Sequence, residues 1–518
     1  MPCQKKSYGL DSFVCVCSSK ICDSPPPIGE IKDDQLVYYL SDKSHFRLER
    51  FLIEKEFREE LKINKIQIKI NSSQKFQKIF GFGGAFTDSV GINLNQLSVD
   101  TRQKLLEQYF SEENGIKYNI GRVPIASCDF STHEYSYMDT PNNFSLNEFK
   151  LAPEDYEFKI PHILSAINLT KGNLELLASP WSAPGWMKTS GRMKGPGELK
   201  GPFNGIYYKT YALYLRRFFE EYSTKNINFW GMTIENEPAA GITPFYGWQA
   251  MYFSAKMQRD FALNLLSPIL KESNITNKLK IIAHDDQRSG IYADPQKSTA
   301  IDGLGTHWYS HTDYGVLSQA HNIQPDKFIL ATEACNAYLP WEHKPLLGAW
   351  FRGQAYGHDI LNNLKNWVIG WIDWNLCLDL QGGPNWVRNF VDAPIIVNAS
   401  SDEFYKQPTF YFLAHFSNFI PRDSVVISST LSTTICEEKD KLISLKCVFT
   451  SIDNLFGIEK EIEHVAFITP NGNRVLVLLN SNQVNLNVTV KEGNRSWNIP
   501  MTPFSIVTAI WKEKSFEL

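Results

Sequence analysis

The sequence predicts an α/β protein: a parallel (β/α)8 TIM barrel with an additional all-β sandwich domain and a small N-terminal disulfide-linked β subdomain. Apolar runs of strand length alternate with helical patterns up to about residue 375, which is typical of a parallel barrel. From residue 423 to the end, β-like runs dominate and indicate a sandwich. Four cysteines within the first 22 residues indicate a compact disulfide-bonded unit.

The barrel is expected to begin in the glycine-rich residues 80–88. We interpret these glycines as tight strand packing, because their spacing fits neither a P-loop nor a dinucleotide-binding turn. The other expected strands are apolar runs at residues 118–124, 175–179, 227–232, 280–283, 303–308, 327–332 and 367–374. Helical patterns occur at residues 98–110, 206–222 and 409–419.

The changes of pattern along the chain predict three domains. Residues 1–28 with 376–407 are expected to form a small antiparallel β subdomain with two disulfides. Residues 29–78 with 423–518 are expected to form an Ig-like β-sandwich, since the alternating residues 66–70 add a strand ahead of the barrel. Residues 79–375 with 408–422 would form the catalytic barrel.

Length, charge and hydropathy exclude some functional classes. A chain of 518 residues is too long for one compact domain. The net charge of −4 and the absence of a basic run argue against a nucleic-acid partner. No stretch reaches the roughly 18 apolar residues of a transmembrane segment. Protonation of the 11 histidines in an acidic compartment would make the chain positive and favour contact with an anionic membrane.

Cysteines and glycosylation motifs predict passage through the secretory pathway. The four N-terminal cysteines allow three pairings, and their spacing fits no common zinc pattern. No signal peptide is visible, so we expect that one has been removed. Seven Asn-x-Ser/Thr motifs are candidate glycosylation sites, at Asn71, Asn143, Asn168, Asn274, Asn398, Asn487 and Asn494.

Two predicted strands end in carboxylates that would face each other. Residues 227–232 lead into Thr-Ile-Glu-Asn-Glu-Pro, which contains Glu237, and residues 327–332 lead into Glu333. The two glutamates are 96 residues apart. One β/α unit takes about 31 residues, so they would follow strands 4 and 7 and point into one barrel mouth. Two facing carboxylates suit glycoside hydrolysis. Either glutamate alone could instead cap a helix or form an ion pair.

Polar and aromatic residues recur where other strands should end. Sugar-binding sites combine hydrogen-bonding side chains with aromatic rings that pack on the C–H face of the sugar. Taken singly, each residue also fits a packed core or a turn cap. The candidates are Asp129, Trp181, His307, Tyr309 and Trp374.

Two other features have simpler explanations than catalysis. The acidic pair in residues 285–288 has no accompanying histidine cluster, so we interpret it as a local ion-pair network. Cys335 follows Glu333 closely but has no evident base, so we interpret it as a buried thiol. The sequence predicts no metal site and no cofactor.

Taken together, these residues resemble the glucosylceramidases of glycoside hydrolase family 30 nearly from end to end. The resemblance rests on long collinear motifs at the N-terminal cysteines and at residues 75–78, 81–85, 118–120, 126–130, 178–181, 235–238, 382–390 and 405–408. It implies a retaining mechanism with Glu237 as acid/base and Glu333 as nucleophile. Glu235 would be a neighbour without a catalytic role.

The resemblance implies roles for further residues. The residues that would hold the glucose are Asp129, Trp181, Asn236, Trp374 and Asn389. Support for the two glutamates would come from Arg122, His307 and Tyr309, and the entrance would be lined by Tyr246 and Trp248. The resemblance also implies disulfides Cys3–Cys15 and Cys17–Cys22. The implied setting is the lysosome, on the lumenal face of an anionic membrane, with help from a saposin-type activator.

Some segments differ from the family pattern. Residues 242–248 and 336–341 are unlike the usual sequences there, and both should contact the aglycone. Residues 427–465 form a longer segment than the family needs, and the sequence leaves open whether Cys436 and Cys447 within it form an additional disulfide.

The function that the resemblance implies is hydrolysis of glucosylceramide to glucose and ceramide through a covalent glucosyl-enzyme, with a bell-shaped pH profile centred in the acidic range. The alternatives are a family 30 hydrolase of another β-glycoside or glycolipid, and a catalytically silent lipid-binding scaffold. The sequence leaves the oligomeric state open between a monomer and a weak homodimer.

Overall fold

The computed structural model describes residues 2–54, 66–291, 298–310, 313–342, 344–433 and 460–513. Within these ranges the chain forms three β-sheets. The strands in chain order are β1 (Gln4–Ser7), β2 (Phe13–Cys17), β3 (Leu36–Asp42), β4 (Glu49–Ile53), β5 (Ile66–Lys78), β6 (Gly81–Ala85), β7 (Ile120–Ile125), β8 (Glu175–Pro180), β9 (Gly231–Thr233), β10 (Lys280–Gln287), β11 (Gly303–His307), β12 (Phe328–Glu333), β13 (Val368–Asn375), β14 (Cys377–Asp379), β15 (Ile395–Asn398), β16 (Glu403–Lys406), β17 (Val425–Thr433), β18 (Glu463–Ile468), β19 (Arg474–Asn480), β20 (Leu486–Glu492), β21 (Arg495–Met501) and β22 (Ser505–Trp511).

The α-helices lie mostly between the barrel strands. In chain order they are α1 (Asp88–Asn95), α2 (Val99–Phe110), α3 (Ile160–Leu169), α4 (Ile206–Ser223), α5 (Ala255–Phe261), α6 (Ser267–Lys271), α7 (Gly315–Ile323), α8 (Trp350–Lys365) and α9 (Pro408–Ser417). Among the residues that the structure describes, none of these helices has the length and apolar character needed to cross a bilayer.

The predicted barrel is confirmed. Strands β6 to β13 follow one another in parallel, and β13 pairs with β6 to close the ring. The interior is packed by one aliphatic side chain from each of five strands, namely Ile120, Leu177, Ile282, Leu330 and Ile372. Because side chains fill this part of the barrel, we expect chemistry at the rim formed by the carboxyl ends of the strands.

The glycines of β6 pack as the sequence predicts. A Cβ atom on Gly83 would lie 1.9 Å from the carbonyl oxygen of Ile120 in the neighbouring strand. Only glycine permits this close approach of β6 to β7, so the glycine-rich residues serve barrel closure.

The fourth barrel strand is shorter than predicted. The sequence predicts a strand over residues 227–232, whereas β9 covers only Gly231–Thr233. The apolar run before it serves aromatic packing: Phe229 lies against three rings of α4, and Trp230 stacks on Phe80 with ring centroids 4.2 Å apart. Hydrophobicity alone does not distinguish such a loop from a buried strand.

The β-sandwich is also confirmed. The nine strands that the described residues contribute run in the order β21-β20-β5-β17-β18-β19-β22-β3-β4, so β5, which precedes the barrel in sequence, joins strands that follow it. The sheet folds over one core in which Trp497 and Trp511 have ring centroids 5.5 Å apart. Cys436 and Cys447, whose pairing the sequence leaves open, lie outside the described residues.

The small N-terminal unit is a five-stranded sheet in the order β1-β2-β16-β15-β14. Disulfides join Cys3 to Cys15 and Cys17 to Cys22, the pairs that the family resemblance implies. Three of its four strand pairs are antiparallel, as predicted, but the prediction is wrong for β14 and β15, which pair in parallel. Residues 380–394 connect these strands and are long enough for the crossover that a parallel pair requires. The domain boundaries given above remain a proposal.

Candidate active site

Both candidate glutamates lie at the carboxyl-terminal rim of the barrel. Glu333 is the last residue of β12, and Glu237 follows Thr233, the last residue of β9, by four positions. Glu237 has left-handed backbone dihedrals, φ 43° and ψ 57°, just before Pro238. A non-glycine residue in this region stores strain, and such strain concentrates where geometry serves function. The backbone N–H of Glu237 donates to the carbonyl of Asp285 at 2.9 Å, which holds the strained turn in place.

The two glutamates are close together. One carboxylate oxygen of Glu237, one of Glu333 and a ring nitrogen of His307 all lie within 4.8 Å of one another. Carboxyl groups about 5–5.5 Å apart are typical of retaining glycosidases, whereas inverting enzymes leave about 6.5–9.5 Å for a water molecule. The spacing therefore favours direct attack by a carboxylate.

Glu333 is buried and held at both oxygens. Its side chain is 7% exposed; its Oε2 accepts a hydrogen bond from Nη1 of Arg122, and its Oε1 accepts one from the Tyr309 hydroxyl at 2.8 Å. Burial and the nearby negative groups raise the pKa of Tyr309 well above its usual range, so its hydroxyl keeps its proton and can donate. A guanidinium on one oxygen and a phenol on the other hold the Glu333 carboxyl group in one orientation.

Glu237 is more accessible, and its two oxygens have different partners. Nδ1 of His307 lies 3.0 Å from Oε1, and the Gln287 amide donates to the same oxygen at 2.9 Å. The Tyr246 hydroxyl lies 3.3 Å from Oε2. Because two nitrogen donors occupy Oε1, a proton on this carboxyl group would reside on Oε2.

His307 is charged in this setting. Burial disfavours the imidazolium, but Glu333, Asp285 and Glu237 outweigh burial and raise the pKa of His307 to about 10. Both ring nitrogens then carry protons, one directed at Glu237 and the other at Asp285, 3.1 Å away. The cluster of Glu237, His307 and Glu333 has donor types that suit a metal ion. A protonated imidazole has no lone pair for a metal, so the cluster fits acid–base chemistry better.

Stacked aromatic rings and amide groups complete one wall. Trp181 and Trp374 stack with ring centroids 5.1 Å apart, and the Arg122 guanidinium lies 5.0 Å from the Trp181 ring. Nearby, the carboxylate of Asp129 accepts from the side-chain amides of Asn389 at 3.1 Å and Asn385 at 3.3 Å. Rings for a C–H face beside a carboxylate for hydroxyls form a site that suits a sugar.

Asp129 has an unusual charge state. Burial raises its pKa, the charges of Glu333 and Glu237 raise it further, and the amide hydrogen bonds offset this only in part, so the pKa of Asp129 rises to about 7. Asp129 is therefore mostly protonated in acid and ionises near neutrality. Its ionisation in the folded protein costs free energy that the unfolded chain does not pay.

Replacing Asp129 with asparagine is expected to stabilise the unliganded protein near pH 7. Because the pKa of Asp129 is raised, the contribution of this group to the free energy of unfolding is fully present below the usual pKa of 3.8. The contribution is lost as the pH rises through about 7. The substitution removes this loss, worth up to about 4 kcal/mol at pH 7, and has little effect at pH 4. Thermal unfolding at both pH values measures this change in stability, and Asp139→Asn, at an exposed position, is the control. An equal shift at both pH values would contradict the assignment.

The entrance presents exposed apolar side chains. Trp248 packs on Tyr246 with ring centroids 4.5 Å apart. On the same loop, Phe245 is 100% exposed and Ile242 is 62% exposed, and on the loop after β12 Trp341 is 79% exposed. These residues lie on loops that leave the carboxyl ends of β9 and β12, so they surround the mouth of the barrel.

The structure brings together the residues that the sequence and the resemblance singled out. The contacts described above join Arg122, Asp129, Trp181, Asn236, Glu237, Tyr246, Trp248, His307, Tyr309, Glu333, Trp374 and Asn389 at one mouth. Their individual roles remain predictions. Asn236 is the least obvious member: its Oδ1 accepts from Nη2 of Arg122 at 2.7 Å.

Three contributors were missed or underrated by the sequence analysis. Gln287 contacts Glu237, but as the last residue of β10 it resembles many structural residues at strand ends, so no signal pointed to it. Asn385 lies in the turn-rich motif of residues 382–390. Asp285 was interpreted as part of an ion-pair network; it forms one with Arg122 and His307 inside the site.

Two nearby residues for which the sequence analysis expects no catalytic role, Glu235 and Cys335, are both buried. Glu235 turns away from the mouth, where the Tyr211 hydroxyl donates to it at 3.1 Å. Burial raises the pKa of Glu235 well above its usual range, which favours its neutral form. Cys335 is 3% exposed, and burial raises the pKa of its thiol well above its usual range, which makes it a poor nucleophile.

Two family models match the chain. The model described as the glycosyl hydrolase family 30 TIM-barrel domain matches residues 79–420, and the model described as the glycosyl hydrolase family 30 beta sandwich domain matches residues 447–509. The first match alone spans more than half of the chain and contains both glutamates.

Similar proteins extend over the whole chain. Putative glucosylceramidase 3 of Caenorhabditis elegans is 42% identical, over 99% of this chain and 95% of that protein. Lysosomal acid glucosylceramidase of Mus musculus is 38% identical, over 99% of this chain and 96% of that protein. Among solved structures, SrfJ from Salmonella typhimurium is 27% identical with a TM-score of 0.79, covering 93% of this chain and 100% of that chain.

Proposed function

The chain belongs to glycoside hydrolase family 30, and from this we propose that it hydrolyses glucosylceramide to glucose and ceramide with retention of configuration. The observation that carries the proposal is the pair of glutamates with oxygens within 4.8 Å of each other. The similarity to proteins named glucosylceramidase, at 38% and 42% identity, supports the choice of substrate.

In the proposed first step, Glu333 is the nucleophile. A carboxylate oxygen of Glu333 forms a bond to the anomeric carbon, and the bond from that carbon to the ceramide oxygen breaks. Arg122 and Tyr309 direct one Glu333 oxygen each, which fixes the angle of attack. The departing oxygen takes the proton carried by Oε2 of Glu237, so ceramide leaves as a neutral alcohol.

In the proposed second step, Glu237 acts as the base. Esterification of Glu333 removes its negative charge, and Glu237 is now ionised. It takes a proton from water, the water oxygen attacks the anomeric carbon, and Glu333 is released as a carboxylate. Hydrogen bonds from His307 and Gln287 keep Glu237 in one orientation for both steps. Since each step needs a different protonation state, the pH profile should be bell-shaped and acidic.

The glucose unit is proposed to sit against the paired tryptophans. Trp181 and Trp374 offer ring faces, while Asp129 and Asn389 offer a carboxyl group, protonated in acid, and an amide to the hydroxyls. Asn236 uses its Oδ1 for Arg122, which leaves its Nδ2 to donate to a hydroxyl beside the reacting carbon.

The exposed apolar rim is proposed to contact the membrane that contains the lipid substrate. The ceramide chains would leave the pocket past Tyr246 and Trp248, and Phe245 and Trp341 would enter the interface between water and hydrocarbon. Anionic lipids and a saposin-type activator are proposed partners on the lumenal face of the lysosome.

Substituting serine for both Phe245 and Trp341 is expected to lower hydrolysis of vesicle-borne glucosylceramide at least tenfold and to leave a soluble aryl β-glucoside unaffected. Burying each ring in the membrane stabilises the bound protein by about 1.5–3 kcal/mol. Vesicle co-sedimentation and turnover of both substrates measure this. The control is Ile323→Ser, which changes a residue 53% exposed at the end of α7, on the opposite barrel face. Equal loss on both substrates would contradict a membrane role.

The secretory route is supported by the two disulfides and by the sequons. Asn71, Asn168, Asn274, Asn487 and Asn494 are exposed, and the other two candidates, Asn143 and Asn398, are half-buried, so glycan attachment needs no unfolding at the first five.

The test of the function is turnover of glucosylceramide in vesicles with an anionic phospholipid at about pH 5. We expect ceramide release, and the β-anomer of glucose as the first product by NMR. Release of glucose from an aryl β-glucoside or a β-glucan but not from the lipid would indicate that the substrate is another β-glycoside. No turnover of any β-glucoside by a folded protein would favour a lipid-binding scaffold.

A further inference from the structure

A buried aspartate joins the groups that support the two glutamates. Asp285 is 0% exposed, and Oδ1 accepts from Nε2 of His307 at 3.1 Å and from the Thr332 hydroxyl at 2.6 Å. Oδ2 accepts from Nη2 of Arg122 at 2.9 Å, and the Ser179 hydroxyl is 3.4 Å away. Arg122 extends to Glu333, and His307 extends to Glu237. Asp285 is thus one contact away from both glutamates without facing the mouth.

The cluster around Asp285 contains three groups of fixed charge in addition to the two glutamates. Arg122 and His307 are cations, and Asp285 is a permanent anion: burial alone would raise its pKa, but Arg122 and His307 hold the pKa of Asp285 well below its usual range. The remaining members are Glu237 and Glu333. A buried group of charges is most stable when it is neutral overall. Neutrality here requires that one of the two glutamates is ionised and the other is not.

We propose that Asp285 is a positioning residue that sets the charge of the site so that one glutamate is ionised in each step. The inference rests on the proposed two-step mechanism. Before reaction, Glu333 is the anion and Glu237 carries the proton. After ceramide leaves with that proton, Glu333 is a neutral ester and Glu237 is the anion. The site holds two positive and two negative charges in both states, so the exchange of roles costs no net buried charge.

The other ionisable groups near Asp285 do not upset this count in acid. Burial raises the pKa of Glu235 well above its usual range, and the pKa of Asp129 rises to about 7, so both are neutral. Burial lowers the pKa of His284, which favours its neutral form. Asp286 faces away and accepts from the backbone N–H groups of Gln287 at 2.7 Å and Ala239 at 3.1 Å.

The test is the pH dependence of kcat/KM for an aryl β-glucoside in the Asp285→Asn variant. Removing the fixed anion leaves an excess positive charge, which favours the ionised form of Glu237. The alkaline limb of the profile should therefore move to lower pH by about one unit or more. The control is Asp23→Asn, which removes the partner of buried Lys406, 2.8 Å away, outside the site. A role limited to packing would reduce activity but leave the limb in place, and that result would overturn the proposal.

A second variant separates charge balance from folding. Asp285→Asn combined with His307→Gln removes one anion and one cation, so the alkaline limb should return toward that of the wild type. If the single variant does not fold and the double variant does, charge balance is supported. If neither folds while Asp23→Asn does, or if the double variant keeps the displaced limb, the proposal fails.

The outcome is distinguishable from failure of the proposed function. A wild-type protein that cleaves no β-glucoside would contradict the function itself. A wild-type protein with a bell-shaped profile and an unmoved limb in Asp285→Asn would contradict only the role of Asp285.

Discussion

Replacing Glu333 with glutamine is expected to lower the hydrolysis of every β-glucoside by roughly 10⁴-fold or more. A neutral amide oxygen cannot form the glucosyl ester, and the new NH₂ group must face either the Arg122 guanidinium or the Tyr309 hydroxyl, which both donate. The measurement is kcat/KM for an aryl β-glucoside and for glucosylceramide. Binding of glucose should persist, because the tryptophan wall and Asp129 are untouched.

The matched control for this prediction is Glu175→Gln. Glu175 begins β8 at the other end of the barrel and pairs with Arg422 at 3.1 Å, so its loss should cost less than about 1 kcal/mol of stability and no activity. A further variant, Glu333→Gly, opens space at the nucleophile position. Added azide should then attack from the vacated side and give the α-glucosyl azide. Formation of the β-azide, or activity in Glu333→Gln near that of the wild type, would remove Glu333 from the nucleophile role.

The barrel and the two glutamates at its rim were predictable because the pattern of each strand and the spacing between strands indicate the same fold. Apolar runs end abruptly in polar residues, and the spacing of Glu237 and Glu333 matches three β/α units. β9 was less predictable, since the aromatic run before it fills the space under the barrel instead of pairing. The parallel pair β14–β15 was not predictable either, because strand direction depends on the path of a loop whose turns carry no directional signal.

The inward direction of the Asp285 side chain was not predictable from the sequence. Ile282 faces the barrel interior, so regular alternation would turn His284 inward and Asp285 outward. The pairing of β10 with β11 shifts between His284 and Asp286, where His284 and Asp285 have φ of 73° and 48°. This bulge points Asp285 at Arg122 and His307. A bulge of one residue decides which of two adjacent aspartates enters the site, and composition does not reveal it.

Replacing Glu237 with glutamine should separate the two chemical steps. For glucosylceramide, whose leaving alcohol needs a proton, kcat should fall by about 10²–10⁴. For an aryl β-glucoside with a good leaving group, the first step needs little acid assistance, so the aryl alcohol should appear in a burst while the glucosyl-enzyme accumulates. Added azide needs no base and should speed turnover. Rapid-mixing kinetics and the mass of the covalent intermediate measure both effects.

The structure supplies a close control for that experiment. Glu235 lies two residues before Glu237, and because burial keeps it neutral, Glu235→Gln exchanges a hydroxyl for an amide with no change in charge. Its activity should stay within a few-fold of the wild type. A burst in Glu235→Gln and none in Glu237→Gln would contradict the proposal, because it would identify Glu235 as the acid/base. Loss of the alkaline limb in Glu237→Gln alone would link the group that titrates in the pH profile to the carboxyl held by His307 and Gln287.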